Sequence, residues 1–346
     1  TGSTAAGINI GTSGSNQVGV MAKGNSTFNV TAGGITVADG DSNIGIYGEE
    51  STIKVTGNIS VDAPSSSNAD DPMKYSSIGV FLTKGTYTGT TGNLSVGSNS
   101  IGIYGKNMTG NISQSGTNMN VGDNGVGIYG SGTGNINLNM ATGIILGSNN
   151  SIGVYAKGMN AEVTGNMTVG TNTSIGIVSE ETGNVTHTGA MNIADKGTNE
   201  GDTGSVGIYK LNGTGTITTT AGNNWTVGNN GYGIFLKQSA EQKVTINNSA
   251  DMSLGTASVG IFSNGKNEVN NTGNIIAGHS ANGIFVKNGG SIVNTGNITV
   301  GGNNSSGIYG TGTTNISHNS GVITTGNNSI GIATNSGNII VNSGAG

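Results

Sequence analysis

Arginine and cysteine are both missing from this chain of 346 residues, proline occurs twice, tryptophan once, and charged side chains make up 8% of it. Without cysteine there are no disulfides, no thiol catalysis and no thiolate metal sites, and the redox compartment stays undetermined. Twelve lysines against seventeen acids leave a net charge of -5, so the basic stripe that nucleic-acid binding needs is absent. No run of eighteen apolar residues and no signal peptide occur, so no segment reads as a membrane-spanning helix or a targeting sequence. The chain starts and stops in mid-pattern, as expected of a piece of a longer protein whose targeting and anchoring parts lie elsewhere.

What is abundant is glycine, 66 residues of it, together with Asn, Ser and Thr. Such a composition without pattern reads as disorder, but here it is patterned. The tetrad Ile44-Gly45-Ile46-Tyr47 returns as Ile78-Gly79-Val80-Phe81, Ile101-Gly102-Ile103-Tyr104, Val126-Gly127-Ile128-Tyr129 and Ile152-Gly153-Val154-Tyr155. It continues as Val206-Gly207-Ile208-Tyr209, Tyr232-Gly233-Ile234-Phe235 and Val259-Gly260-Ile261-Phe262, with weaker copies at Gly19, Gly176, Gly283, Gly307 and Gly331. From Gly19 to Gly331 this makes twelve steps over 312 residues, a mean period of 26. A fixed period of that size marks a solenoid.

Each repeat holds three strand-like pieces, such as Ser151 to Lys157, Glu162 to Thr164 and Gly165 to Gly170, in which apolar residues alternate with small or polar ones. That is the period of a strand with one buried face. It predicts that Ile101 and Ile103, Val126 and Ile128, and Ile330 and Ile332 point inward together. One coil alone buries too little; stacked coils pair their backbones about 4.8 Å apart. The expected fold is all-β, a single-domain parallel β-helix over residues 1–346, with about 13 coils of about 26 residues.

Gly and Asn tolerate left-handed backbone, and they collect just before the tetrads, in Gly97-Ser98-Asn99-Ser100, Gly122-Asp123-Asn124-Gly125, Gly228-Asn229-Asn230-Gly231 and Gly326-Asn327-Asn328-Ser329. These are the expected corners. Asparagines stacked there would bond amide to amide along the axis as a structural ladder. The many Asn-x-Ser/Thr triplets, such as Asn93-Leu94-Ser95, then read as its by-product and not as glycosylation sites.

The phrases Asn99-Ser100-Ile101-Gly102-Ile103-Tyr104-Gly105-Lys106 and Thr295-Gly296-Asn297-Ile298-Thr299-Val300-Gly301 resemble the passenger repeats of the large fusobacterial autotransporter adhesins, the RadD-like group. The resemblance covers essentially the whole chain and is one of repeats. It implies a right-handed β-helix, carried to the bacterial surface by a C-terminal outer-membrane barrel of the same polypeptide that is not in this sequence. It further implies coaggregation or host-cell attachment through a surface protein or glycan partner. No catalytic residue or cofactor carries over from it.

Candidates for chemistry are few. Asp202-Thr203-Gly204 matches the triplet of aspartic proteases, but no second Asp-Thr/Ser-Gly exists to face it. Gly201-Asp202-Thr203-Gly204-Ser205 echoes a serine-protease signature, yet Ser205 falls at a corner, which makes the match a coincidence. His187 and His318 occupy one coil position five coils apart, about 24 Å, too far to share a metal. Polysaccharide cleavage needs carboxylates gathered on one groove, and here the acids are scattered except in two inserts. The chain is therefore expected not to be an enzyme and to hold no metal, Ca²⁺ at the insert acids being the open alternative.

The inserts and an aromatic column are the candidate binding features. Residues 62–77 carry Asp70, Asp71, Lys74 and Tyr75, and residues 194–205 carry Asp195, Lys196, Glu200 and Asp202, where ordinary coils have four residues. Insertions in solenoids commonly carry binding on one face, although surface loops also lengthen at low entropic cost. Tyr47, Phe81, Tyr104, Tyr129, Tyr155, Tyr209, Phe235, Phe262, Phe285 and Tyr309 account for ten of the fourteen Tyr and Phe. With the flanking Ile and Val inward, alternation turns these rings outward beside the glycines, either to shield strand backbone or as an apolar stripe for a partner. A bend after the Ile would turn them inward instead. The function these features point to is an adhesin, with a non-binding spacer and a glycan-cleaving β-helix as alternatives.

Overall fold

The computed structural model describes residues 2–11, 14–66, 74, 76–197, 204–238, 242–342 and 344. The chain divides into two compact units, Thr1–Met167 and Thr168–Gly346. Each is a parallel β-solenoid, and together they hold about 13 turns with no helix among the described residues. A turn has three strands. The first carries the tetrad, as in Ile101–Met108, Val126–Gly132 and Ile152–Lys157 of the first unit or Val206–Leu211, Tyr232–Lys237 and Val259–Asn264 of the second. The second and third follow as separate strands, such as Val244–Asn248 and Asp251–Leu254, or merge into one, as in Thr86–Val96, Ile112–Val121 and Asn135–Leu146.

Stacking is parallel and in register, with Ile103 beside Ile128 and Tyr104 beside Tyr129, and likewise Ile234 beside Ile261 and Phe235 beside Phe262. The interior is filled by the third tetrad residue together with the alternate residues of the other two strands. Ile103, Ile112, Met119, Ile128, Ile136 and Ile144 are wholly buried in the first unit, and Ile208, Ile217, Ile234, Ile246 and Ile261 in the second. Each such burial stabilises by roughly 1.5–3 kcal/mol before ordering costs, so neighbouring coils supply what no single coil contains.

Inside the tetrad the expected alternation fails at one residue. The first-position side chains Ile101 and Val126 are half-exposed and Ile330 is 50% exposed, while the glycine and the residue after it are both buried in Ile101–Met108 and Val126–Gly132. Ile101 and Ile103 therefore do not point the same way, nor do Val126 and Ile128. The reason is the glycine: register pairing skips it, and a Cβ on Gly102 would lie 2.6 Å from the Gly127 carbonyl oxygen and 2.9 Å from Leu94 Cδ1 and Val96 Cγ2. The same approach of the next coil's carbonyl recurs at Gly45, Gly79 and Gly127, and at Gly207, Gly233, Gly260, Gly283 and Gly307. Two consecutive residues face the core here because the first has no side chain to place.

The corners are where Gly and Asn put them. Asn99, Asn124, Asn230, Asn304 and Asn328 have φ of 56°, 53°, 58°, 57° and 52°, conformations Asn tolerates better than most residues. The backbone N–H groups of the first four reach the next coil, as from Asn99 to Asp123 O at 2.9 Å and from Asn304 to Asn328 O at 3.0 Å. The residue that follows is often a buried serine whose hydroxyl donates to a corner carbonyl. Ser77 bonds Gly40 O at 2.8 Å, Ser100 bonds Asp62 O at 2.9 Å, and Ser305 bonds Gly278 O at 2.6 Å.

Candidate functional site

The ten predicted rings form two ladders, five rings in each unit, and every ring is half-exposed. In the first unit Tyr47, Phe81, Tyr104, Tyr129 and Tyr155 follow one another with centroids 5.4, 5.1, 4.7 and 5.2 Å apart, the first three pairs within 18° of parallel. In the second, Tyr209, Phe235, Phe262, Phe285 and Tyr309 are spaced 5.5, 4.7, 5.4 and 5.4 Å. The rings point outward as expected, but the tetrad glycines beside them face inward, so the rings shield one another and not bare glycine backbone. Desolvation within the ladders raises the phenol pKa of Tyr104 and Tyr209. Stacking is face to face through the first three pairs of the first ladder, whereas Phe262 and Phe285 in the second meet edge to face at 76°. At the start of the first ladder Lys23 Nζ lies 5.7 Å from the Tyr47 centroid, a cation over the ring.

Of the insert residues, Asp70, Asp71, Tyr75, Glu200 and Asp202 lie outside the described residues, as does most of the Asp202-Thr203-Gly204 triplet. Lys74 is exposed. At the base of the first insert the Ser66 N–H donates to Asp41 Oδ1 at 2.8 Å, and hydrogen bonds from the Ser66 side chain and backbone hold the Asp41 carboxyl below its ordinary pKa. At the base of the second, Asp195 accepts from Asn229 N at 2.8 Å and from Asn229 Nδ2 at 3.0 Å, and the Lys196 N–H donates to Asn229 O at 2.9 Å. Both carboxylates thus tie an insert to the coil lattice. Ser205 is buried and donates to Gly170 O at 2.7 Å, the corner role its position predicts and not that of a nucleophile.

The asparagine ladder exists, and its longest run is buried at the end of the second strand, not at the corner before the tetrad. Thr219 Oγ1 donates to Asn248 Oδ1 at 2.6 Å, Asn248 Nδ2 to Asn271 Oδ1 at 2.7 Å, Asn271 Nδ2 to Asn294 Oδ1 at 2.7 Å, and Asn294 Nδ2 meets His318 Nδ1 at 3.0 Å. Each amide also donates to the backbone two residues on, at Ala250 O, Gly273 O and Gly296 O. At the corner, the amide contacts are Asn149 to Asp123 at 2.8 Å and Asn150 to Asn124 at 3.2 Å. Elsewhere Asn oxygens accept backbone N–H groups of the next coil, as Asn93 Oδ1 does from Asn118 N at 3.2 Å. His187, in register with Thr219, and His318 share the ladder's column with four polar residues between them.

Two buried polar groups went unread in the sequence. Lys210 stands where Leu236 and Ser263 stand in the following coils, wholly buried, its Nζ donating to Ser179 Oγ at 3.0 Å, Glu181 O at 2.6 Å and Gly183 O at 3.0 Å. Burial brings its pKa down from 10.5 to about 8. The carbonyls it binds belong to the turn after Ile175–Glu180, so this lysine closes a loop. Tyr87, also wholly buried, donates to Gln114 Oε1 at 2.7 Å, and burial pushes its phenol pKa far up. A Cβ on Gly89 would overlap both partners, which explains that glycine. A lysine or glutamine in a strand ordinarily signals the solvent face, and nothing in the local pattern marks these two as exceptions. The chain matches no protein-family model, no curated protein and no solved structure.

Proposed function

We propose that the chain is the passenger of an autotransporter displayed on the bacterial cell surface, non-enzymatic, and acting as an adhesin toward a protein or glycan of another cell. One observation carries this reading. In each unit the coil interior is filled largely by aliphatic side chains, so what differs from coil to coil, such as Asp62, Ala63, Lys74 and Asp195 among the described insert residues and the outward side chains of the strands, is at the surface. A solenoid built that way offers relief for contact. The repeat phrases resembling autotransporter adhesin passengers support display at the surface by a barrel elsewhere in the same polypeptide. Display of the chain on a non-adherent bacterium tests it: attachment to other bacteria or host cells above the undisplayed strain is expected, and none across a broad cell panel overturns the reading. The alternative of a spacer without a partner is favoured by the ring ladders, whose stacked faces serve each other.

A further inference from the structure

The second ring ladder ends at Tyr309. Phe285 lies on one side at 5.4 Å, while on the other the residue in register with Tyr309 is Ala333, a single methyl where each preceding coil down to Tyr209 has a ring. At the opposite end of this ladder Tyr209 is in register with Val178, which is 3% exposed. Tyr309 therefore presents a ring face that no other ring covers. A cavity of about 370 Å³ adjoins this ring on the side of the first tetrad position, lined by Asn282, Asn304, Ser306, Tyr309, Asn328 and Ile330. That volume is at the small end of the range for ligand pockets, about 300–1,000 Å³.

A feature of the sequence coincides with it. The first tetrad position is Ile, Val or Tyr in every copy except two, and the two are Asn282 and Ser306. This column stands beside the rings, as Tyr232 shows by meeting Phe235 edge-on at 4.8 Å. The apolar wall along the ladder thus turns polar in the coil of Tyr309 and in the coil before it, and is apolar again at Ile330. Ser306 Oγ donates to Asn282 Oδ1, which fixes that amide and leaves Asn282 Nδ2 and the Ser306 lone pairs outside the bond. Asn304 and Asn328 sit at corners held by their backbone bond of 3.0 Å, and both side chains are exposed. Ile330, 50% exposed, makes the far rim.

No charged side chain lines the cavity. A cavity with one aromatic wall and with neutral amides and a hydroxyl along the others suits a ligand with one C–H face and a rim of hydroxyls. We propose that the Tyr309 end of the ladder is a carbohydrate site taking one neutral hexopyranose unit of a glycan, stacked on the ring and hydrogen-bonded through Asn282, Asn304 and Asn328. This rests on the adhesin reading and supplies its ligand class.

The test uses the purified chain against neutral oligosaccharides of glucose, galactose and N-acetylhexosamines, with uronic-acid and sialylated oligosaccharides alongside, read by calorimetry. Binding of a neutral saccharide is expected, about tenfold weaker for Tyr309→Ala. Tyr309→Phe, which keeps the ring face, retains it. Asn282→Val, which restores the residue type of the column and so keeps the fold, weakens it, and Tyr104→Ala in the other ladder leaves it unchanged. Binding of no neutral saccharide, binding only of the acidic ones, or binding unaltered in both Tyr309→Ala and Asn282→Val overturns the site. Cell attachment of the displayed variants separates the two ideas: attachment with unaltered strength in Asn282→Val removes the site and keeps the adhesin, whereas saccharide binding without attachment to any cell keeps the site and removes the adhesin.

Discussion

Asn271 donates from Nδ2 to Asn294 Oδ1 at 2.7 Å, and Asn294 spends its own two amide hydrogens on Gly296 O and His318 Nδ1. His318 Nδ1 therefore accepts, which places a ring hydrogen on Nε2, a buried atom without a hydrogen-bond partner among the described residues. Nitrogen chemical shifts of the ring are expected to report that tautomer. Asn271→Ala leaves Asn248 and Asn294 each with a buried unmet group, at about 1–3 kcal/mol apiece, so an overall loss of about 2–6 kcal/mol is expected in urea unfolding. Asn342→Ala, which removes the exposed amide contact to Asn319, should change stability by less than about 0.5 kcal/mol. Equal effects of the two would refute a buried ladder.

The tetrad glycines make a prediction of sign. Replacing a strand glycine by alanine ordinarily stabilises by about 0.4–1 kcal/mol through the unfolded chain. Gly127→Ala should instead destabilise by about 1–3 kcal/mol, since the new methyl would lie 2.6 Å from Gly153 O and 2.7 Å from Met119 Sδ. Gly11, with nothing within 4 Å of an added Cβ, is the control that should gain or stay neutral on the same change. Thermal melts of both variants decide it.

Lys210 predicts a pH dependence. The unfolded chain keeps this amine protonated up to about pH 10.5 and the folded chain only to about 8, so between those values the unfolded state binds more protons and stability rises with pH. Below about pH 8 both states are protonated and the contribution is flat. The comparison to make is urea unfolding of the parent and of Lys210→Met from pH 7.5 to 10.5. The parent should gain stability relative to the variant across that window; parallel curves would mean that the amine is not desolvated.

Cutting residues 62–77 and 194–205 each back to Gly-Ser-Asn-Ser should leave both units folded. The last serine of that loop keeps the hydroxyl that Ser77 gives Gly40 O and that Ser205 gives Gly170 O. Attachment to cells is expected to fall in the trimmed variants. Undiminished attachment by folded double-trimmed protein would exclude the inserts and leave the Tyr309 end as the contact.

The coil number, the strand faces of the second and third strands and the corners were legible because each rests on a local rule, alternation or left-handed Asn, repeated many times. The direction of Ile101 was not, because alternation assumes a side chain at every residue and Gly102 has none. The buried ladder was misplaced for a similar reason. Asparagine is abundant at corners and strand ends alike, and Asn248, Asn271 and Asn294 are buried in consecutive coils, where no water competes for the amides. Of the site, the rings could be read as a column but not their end, since whether a ring face is open depends on the coil above it, 24 residues on from Tyr309 at Ala333.

The glycine column also constrains how such a chain changes over generations. Gly19, Gly45, Gly79, Gly102 and Gly127 in the first unit, and Gly207, Gly233, Gly260, Gly283 and Gly307 in the second, are each matched to the carbonyl of the tetrad glycine in the following coil. A point change at one of them harms its neighbour, whereas duplication or deletion of a whole coil delivers a glycine and its carbonyl together and preserves every such contact. Lineages of this protein should therefore differ in coil number, by recombination between repeats, more readily than at the tetrad glycines themselves.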